Sequence, residues 1–200
     1  MCIRDSKCPA DLSTTLWKLP VDYNHIEDVV ASASKGFKTW RKTPLEERIN
    51  ALKRFQEKAL ERKDEVARAI ALETGKPLWE AYTEAAALAA KVKVTIEESL
   101  PRIEKKSYEE ILPNTRGHLV HKPIGPCLII GPFNFPCHLA NGQITAALIS
   151  GNSIIFKPSE KTAYSAQVLI DCFADAGFPE GVINLLQGDG ESARLSLIHI

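Results

Sequence analysis

Apolar residues along this chain follow one rhythm up to about residue 100 and another from about residue 116 onward. In the first half they recur at three- and four-residue steps, the spacing of a single helix face. Ile26, Val29, Ala33, Phe37 and Trp40 form one such stripe, with Asn24 placed to cap it and Glu27 three residues on. A second start is predicted at Thr43 as N-cap, with Pro44 as the first helical residue and Glu46 completing a capping box. Leu45, Ile49, Leu52, Phe55 and Ala59 follow as its stripe. The charged run Glu61-Arg62-Lys63-Asp64 separates that helix from one carrying Val66 and Ile70, which Gly75 ends with Pro77 just beyond. A last long helix is predicted from about Trp79 to Leu100, striped by Leu88, Val92, Ile96 and Leu100. These stripes, the three tryptophans included, read as core packing.

In the second half the runs become short and unbroken. Cys127 to Gly131, Ser153 to Lys157 and Val182 to Leu186 each read as a strand buried on both faces. Between them lie helical stretches, one with Ile144, Ala147 and Leu148 on a side, the other from Ala163 to Ala176, ended by Gly177 and Pro179. Strand, helix, strand, helix, strand predicts an α/β fold with a Rossmann-like parallel βαβαβ sheet behind N-terminal helices. The divisions are a helical part over 24–103 and a βαβαβ part over 124–195. Ligands of such sheets sit at the carboxyl ends of the strands.

Composition narrows the partners. Lys plus Arg (25) balance Asp plus Glu (25), so nothing by count favours nucleic acid or an anionic membrane. No apolar run is long enough to span a bilayer, and the N-terminus lacks the apolar core of a secretory signal. Five scattered cysteines, without a C-x-x-C pair or metal spacing, fit a reducing cytoplasm. No nucleic acid, membrane or metal partner is therefore expected.

The strand ends carry the candidate chemistry. After the first strand come Gly131-Pro132-Phe133-Asn134-Phe135-Pro136, a proline-stiffened loop with one amide side chain. Asn134 there can donate to a developing oxyanion, or it can serve turn geometry alone. After the second strand, Lys157-Pro158-Ser159-Glu160 sets a cation and a carboxylate three residues apart. They suit ribose hydroxyls, or form a solvated surface pair. After the third, Gly188-Asp189-Gly190-Glu191-Ser192-Ala193 matches a dinucleotide fingerprint formally. Its two acidic residues would repel a pyrophosphate, so Gly188 reads as a tight turn near an adenosine. Cys127 and Cys172 read as structural thiols, and Cys137 has no activating neighbour in sequence. His118, His121 and His138 lack metal-ligand spacing.

The loops at Gly131–Pro136 and Lys157–Glu160, their separation, and Glu73-Thr74-Gly75-Lys76-Pro77 upstream resemble the aldehyde dehydrogenase superfamily. Within it the likeness is to the succinylglutamate semialdehyde dehydrogenase subfamily of arginine catabolism. Trp79-Glu80, His138-Leu139, Asn141-Gly142, Asn184-Leu185 and Gln187-Gly188 carry that likeness with the Glu73 motif. The resemblance implies oxidation of an aldehyde by cysteine attack, hydride transfer to NAD, less readily NADP, and thioester hydrolysis. It makes Asn134 the oxyanion amide, Lys157 and Glu160 the ribose ligands, and the backbone of Ile130, Gly131, Pro132 and Phe133 the cofactor lining. It also implies a homo-oligomer built through a β-hairpin arm, placed at about 107–122 with Gly117-His118-Leu119-Val120-His121 in it.

Three departures bear on the substrate: Cys137, Ala140 and Gln143 stand where the subfamily leads one to expect Gly, Pro and His. Residues 7–195 are expected to be part of an NAD(P)-binding domain, lacking the glycine motif for the cofactor phosphate, the general-base glutamate and the nucleophilic cysteine. Residues 1–6 and 195–200 do not continue the pattern and resemble translated adapter sequence, so they are expected to be foreign. A fragment inactive by itself is the leading expectation. A stand-alone nucleotide-binding or interaction module without catalysis is the alternative.

Overall fold

The computed structural model describes residues 2–199, and their side chains except at 2–4, 19, 20, 198 and 199. Met1 and Ile200, within the ends expected to be foreign, lie outside the described residues. The helical half contains α1 (His25–Trp40), α2 (Leu45–Glu61), α3 (Lys63–Thr74) and α4 (Leu78–Val94). Most of each stripe is buried, Ile26, Ala33 and Trp40 on α1 and Leu52, Phe55 and Ala59 on α2, whereas Val29, Phe37 and Ile49 are partly buried and Leu45, at the start of α2, is exposed. Gly75 closes α3 in the left-handed conformation, with φ of 72°.

Three helix-end expectations fail for local reasons. Asn24 is itself helical and makes no side-chain cap. Pro44 is extended, at ψ 147°, so α2 starts one residue later than expected, and the Thr43 hydroxyl donates back to the Thr39 carbonyl instead. The last predicted helix does not run regularly to Leu100. It widens into a π turn at Thr95–Ser99 and ends as a 3-10 turn at Leu100–Ile103. Pro101 lacks an N–H and its ring would collide with the carbonyl four residues back, which a wider turn relieves. Of the tryptophans, Trp40 is core and donates to the Leu148 carbonyl at 2.8 Å. Trp79 is exposed, because it lies off the buried face of Ala81, Glu84, Ala85, Leu88 and Val92.

Two antiparallel hairpins flank this half. β1 (Cys2–Cys8) pairs with β2 (Asp11–Val21), a hairpin that the hydrophobic pattern does not announce. β3 (Lys106–Leu112) pairs with β4 (Thr115–Leu119) where the arm is expected, and its side chains are almost all exposed.

The second half follows the predicted order: β5 (Cys127–Ile130), α5 (His138–Ile149), β6 (Ile154–Lys157), α6 (Ala163–Asp175), β7 (Ile183–Leu185) and α7 (Gly190–His199). The strands form one parallel sheet in the order β5-β6-β7. Strand alternation then divides the core. Ile129, Ile154 and Phe156 join the cluster of α2 to α6, whereas Leu128 and Ile155 join Ile26, Ala33, Leu186 and Leu195 on the other side. In the larger cluster the Phe55 and Phe173 rings stack, centroids 3.7 Å apart. The sheet is thus covered on both faces, and its carboxyl edge is left for loops.

Candidate active site at the carboxyl edge of the sheet

Register brings the strand ends together. Ile130 is the pairing partner of Lys157, and the Gly131 N–H donates to the Lys157 carbonyl at 2.9 Å, carrying the ladder into the first loop. A Cβ on Gly131 would lie 2.8 Å from the Phe156 ring, so the tight entry into the loop requires glycine. Lys161 lies 4.8 Å over the Phe133 ring and ties the first loop to the second.

Asn134 is exposed on that loop. Its side-chain amide makes no hydrogen bond among the described residues, and its φ is not positive. Both physical reasons for choosing Asn as a turn residue, an Asx bond and tolerance of left-handed backbone, are therefore absent. The amide is presented outward from a fixed backbone.

That backbone is fixed from a distance. The Asn134 carbonyl accepts from Lys76 Nζ at 2.9 Å, and the same ammonium lies 4.2 Å from the centroid of Phe135. Lys76 is in turn paired with Glu84 of α4 at 2.9 Å, and Glu84 is buried. The second carboxylate arm, Oε1, accepts from the N–H groups of Cys137 and His138 at 3.1 Å each. Glu84 thereby supplies the cap that α5 lacks locally.

At the second loop, Lys157 is buried at the end of β6 and its amine lies 3.6 Å from the half-exposed carboxylate of Glu160. This is not the solvated pair that sequence alone allows. A donor and an acceptor side by side at the strand edge match the paired hydroxyls of a ribose. The following helix, α6, also has no local cap. The buried Glu73 of α3 accepts from the N–H groups of Tyr164 (2.9 Å) and Ser165 (2.6 Å), from the Ser165 hydroxyl, and from the Ser6 hydroxyl. Gly188, at the third loop, is buried against Ser192. Asp189 accepts from the N–H groups of Glu191 (3.1 Å) and Ser192 (3.3 Å), so a carboxylate already occupies the N-terminus of α7.

Lys76, Glu73 and Glu84 receive no role in the sequence reading, and Ser6 lies in the end expected to be foreign, yet the four meet at both helix starts. One signal was available: Glu73 continues the buried face of Val66 and Ile70, and Glu84 that of Ala81, Ala85 and Leu88. Unpartnered charge is rarely placed on a buried face.

Cys137 is fully buried, its Sγ 3.4 Å from the Ser165 carbonyl. Burial first, then the Glu84 and Glu73 carboxylates, push its thiol well above the usual range. Burial also pushes Cys127 up and Cys172 up to about 11. None of the three is an activated nucleophile. His118 pairs with Ser107 at 3.0 Å in the exposed hairpin, and His138 Nδ1 is buried without a partner among the described residues. No group of three or more metal-ligating side chains occurs among the described residues, and no helix among them is long and apolar enough to cross a membrane.

Comparison with known proteins gives the family and fold of the chain. The chain is 42% identical over 178 residues to N-succinylglutamate 5-semialdehyde dehydrogenase 1 of Caulobacter vibrioides, covering 89% of this chain and 37% of that protein. It superimposes on NAD-dependent aldehyde dehydrogenase from Sinorhizobium meliloti with a TM-score of 0.91 and 27% identity, covering 98% of this chain and 39% of that one. NADP-dependent glyceraldehyde-3-phosphate dehydrogenase from Bacillus halodurans, complexed with NADP, gives 0.90 and 28%, covering 98% and 42%. The chain thus spans well under half the length of these relatives. The model of the aldehyde dehydrogenase family matches residues 4–199, and the chain belongs to that family.

Proposed function

We propose that the whole protein oxidises an aldehyde to a carboxylic acid with NAD, and that this chain supplies its oxyanion donor and ribose ligands. The observation that carries the reading is Asn134: an outward amide whose side chain has no hydrogen-bond partner among the described residues, on a loop whose backbone is anchored on both sides. When a cysteine thiolate adds to the aldehyde carbon, the carbonyl π electrons move to oxygen. Asn134 donates an N–H to that oxyanion with little reorganisation. The nicotinamide cofactor, when bound, supplies the hydride acceptor. Lys157 donates to a ribose hydroxyl, Glu160 accepts from one, and the backbone of Ile130 to Phe133 lines the cofactor. Gly188 keeps the third loop close to the adenosine end.

The nucleophile and general base are taken, from the family resemblance, to lie outside this chain, and burial works against the thiols at 127, 137 and 172. The chain alone should give no aldehyde-dependent reduction of NAD. The family relationship favours succinylglutamate semialdehyde as substrate, and the exposed β3–β4 hairpin fits the arm of a homo-oligomer. Comparing kcat/KM for that aldehyde with succinate semialdehyde tests the substrate.

The mechanism is tested at Asn134. In the whole protein, Asn134→Ala should slow single-turnover hydride transfer about 10²–10³-fold, roughly 3–4 kcal/mol, with NAD affinity nearly unchanged. Asn134→Asp should be at least as damaging, because a carboxylate donates no proton and repels the oxyanion. A wild-type single-turnover rate in folded Asn134→Ala would reduce Asn134 to a turn residue.

A further inference from the structure

We infer that Lys76 is a positioning residue for Asn134, acting through an ion pair with Glu84 that holds the loop from residue 134 to 138 in one conformation. The inference rests on Asn134 being the oxyanion donor, as proposed above. An exposed side chain on a loop is only as well placed as its backbone, and catalysis is sensitive to displacements of about 1 Å.

The contacts converge on both sides of the amide. Lys76 Nζ donates to the carbonyl of Asn134 itself at 2.9 Å and faces the ring of the next residue, Phe135, at 4.2 Å. Glu84 takes the N–H groups of Cys137 and His138. The Lys76–Glu84 bond at 2.9 Å joins the two grips into one bridge, with only about a tenth of the lysine side chain and none of the glutamate side chain exposed. An ammonium suits this duty because its three donors need not lie in a plane, so it can serve a carboxylate, a carbonyl and a ring face together. Gly75, left-handed just before it, and Pro77, the residue preceding α4, fix where the lysine leaves the backbone. The bridge leaves the Asn134 side chain untouched, as a donor awaiting an oxyanion requires.

Two readouts test this. In the present chain, Lys76→Met should speed amide hydrogen exchange across 134–138 about tenfold or more, whereas Lys76→Arg, which keeps the charge, should change it less. Unchanged exchange in Lys76→Met overturns the bridge. In the whole protein, Lys76→Met should slow single-turnover hydride transfer about ten- to a hundredfold, with cofactor affinity unchanged. Combined with Asn134→Ala it should add little, because both changes remove the same interaction. Fully additive losses overturn the positioning role. If Lys76→Met does not fold, Glu84→Gln keeps one acceptor for α5 while loosening the lysine, and the same two readouts should shift in the same direction; no shift overturns the inference. A wild-type whole protein that oxidises no aldehyde sinks the proposed function instead, and the exchange experiment still decides the bridge.

Discussion

The starts of α5 and α6 pose the same physical problem and are solved differently. Each helix follows a loop at the carboxyl edge, each leaves its first N–H groups without a local cap, and each receives a buried carboxylate from the helical half. At α5 the carboxylate is Glu84, compensated by the Lys76 cation, which reaches on to Asn134 and Phe135. At α6 it is Glu73, whose remaining partners are the hydroxyls of Ser165 and Ser6. The loop before α5 carries the outward amide proposed as oxyanion donor, and an ion pair grips its backbone. The loop before α6 carries its own Lys157 and Glu160, so the cap anchors only the helix. Helix capping and site positioning are one device at α5 and separate devices at α6.

Removing the two carboxylates in turn should therefore give unequal losses. Glu84→Ala strands a nearly buried ammonium as well as two N–H groups, and should cost about 3–5 kcal/mol. Glu73→Ala leaves N–H groups and hydroxyls unsatisfied but no cation, and should cost about 1.5–3 kcal/mol. Urea unfolding of the chain measures both. Lys76→Met in the Glu84→Ala background should restore part of the loss, because the uncompensated charge is gone. Equal losses for the two glutamates, or no recovery in the double variant, would dissolve the contrast.

How legible these devices are in the sequence depends on how far apart their parts lie. The helices of the first half and the βαβαβ order of the second are written in local periodicity, and the structure repeats their number and order while moving several helix ends. Local capping signals misled at Asn24 and Thr43, since a box of suitable residue types does not ensure the backbone that would close it. The caps of α5 and α6 join residues 53 and 92 apart, Glu84 to Cys137 and Glu73 to Ser165, beyond any sequence window. Lys157 and Glu160 were findable because strand ends are where ligands sit, but only burial separates them from a surface pair. The N-terminal hairpin was not legible, and with it Ser6 was missed.

A smaller effect separates the two loops by the ligand each serves. If Glu160 serves the ribose as proposed, its replacement should alter cofactor choice and spare the chemical step. In the whole protein Glu160→Gln should shift the NAD to NADP ratio of kcat/KM about tenfold toward NADP, equivalent to roughly 1.4 kcal/mol. The carboxylate accepts from a free 2′-hydroxyl but repels a 2′-phosphate. An unchanged ratio removes Glu160 from the ribose. A slowed single-turnover rate at saturating NAD would instead couple the second loop to the chemistry, against the division drawn here.

The smallest expected effect asks whether the cap of α6 reaches into the N-terminal hairpin. Ser6 is buried and its hydroxyl donates to Glu73 Oε1, the oxygen that also accepts from the Tyr164 N–H. Ser6→Ala removes one of several donors while leaving the carboxylate its two amides and the Ser165 hydroxyl. The loss should therefore be about 0.5–1.5 kcal/mol, well below that of Glu73→Ala. Amide exchange gives the location as well as the size. It should quicken at Tyr164 and Ser165 and stay as it is at Cys137 and His138, since Glu84 serves those and has no tie to Ser6. Equal quickening at both helix starts would mean that the two caps share one cooperative unit. An unchanged midpoint and unchanged exchange would leave α6 to Glu73 alone, and the hairpin would carry no part of the site.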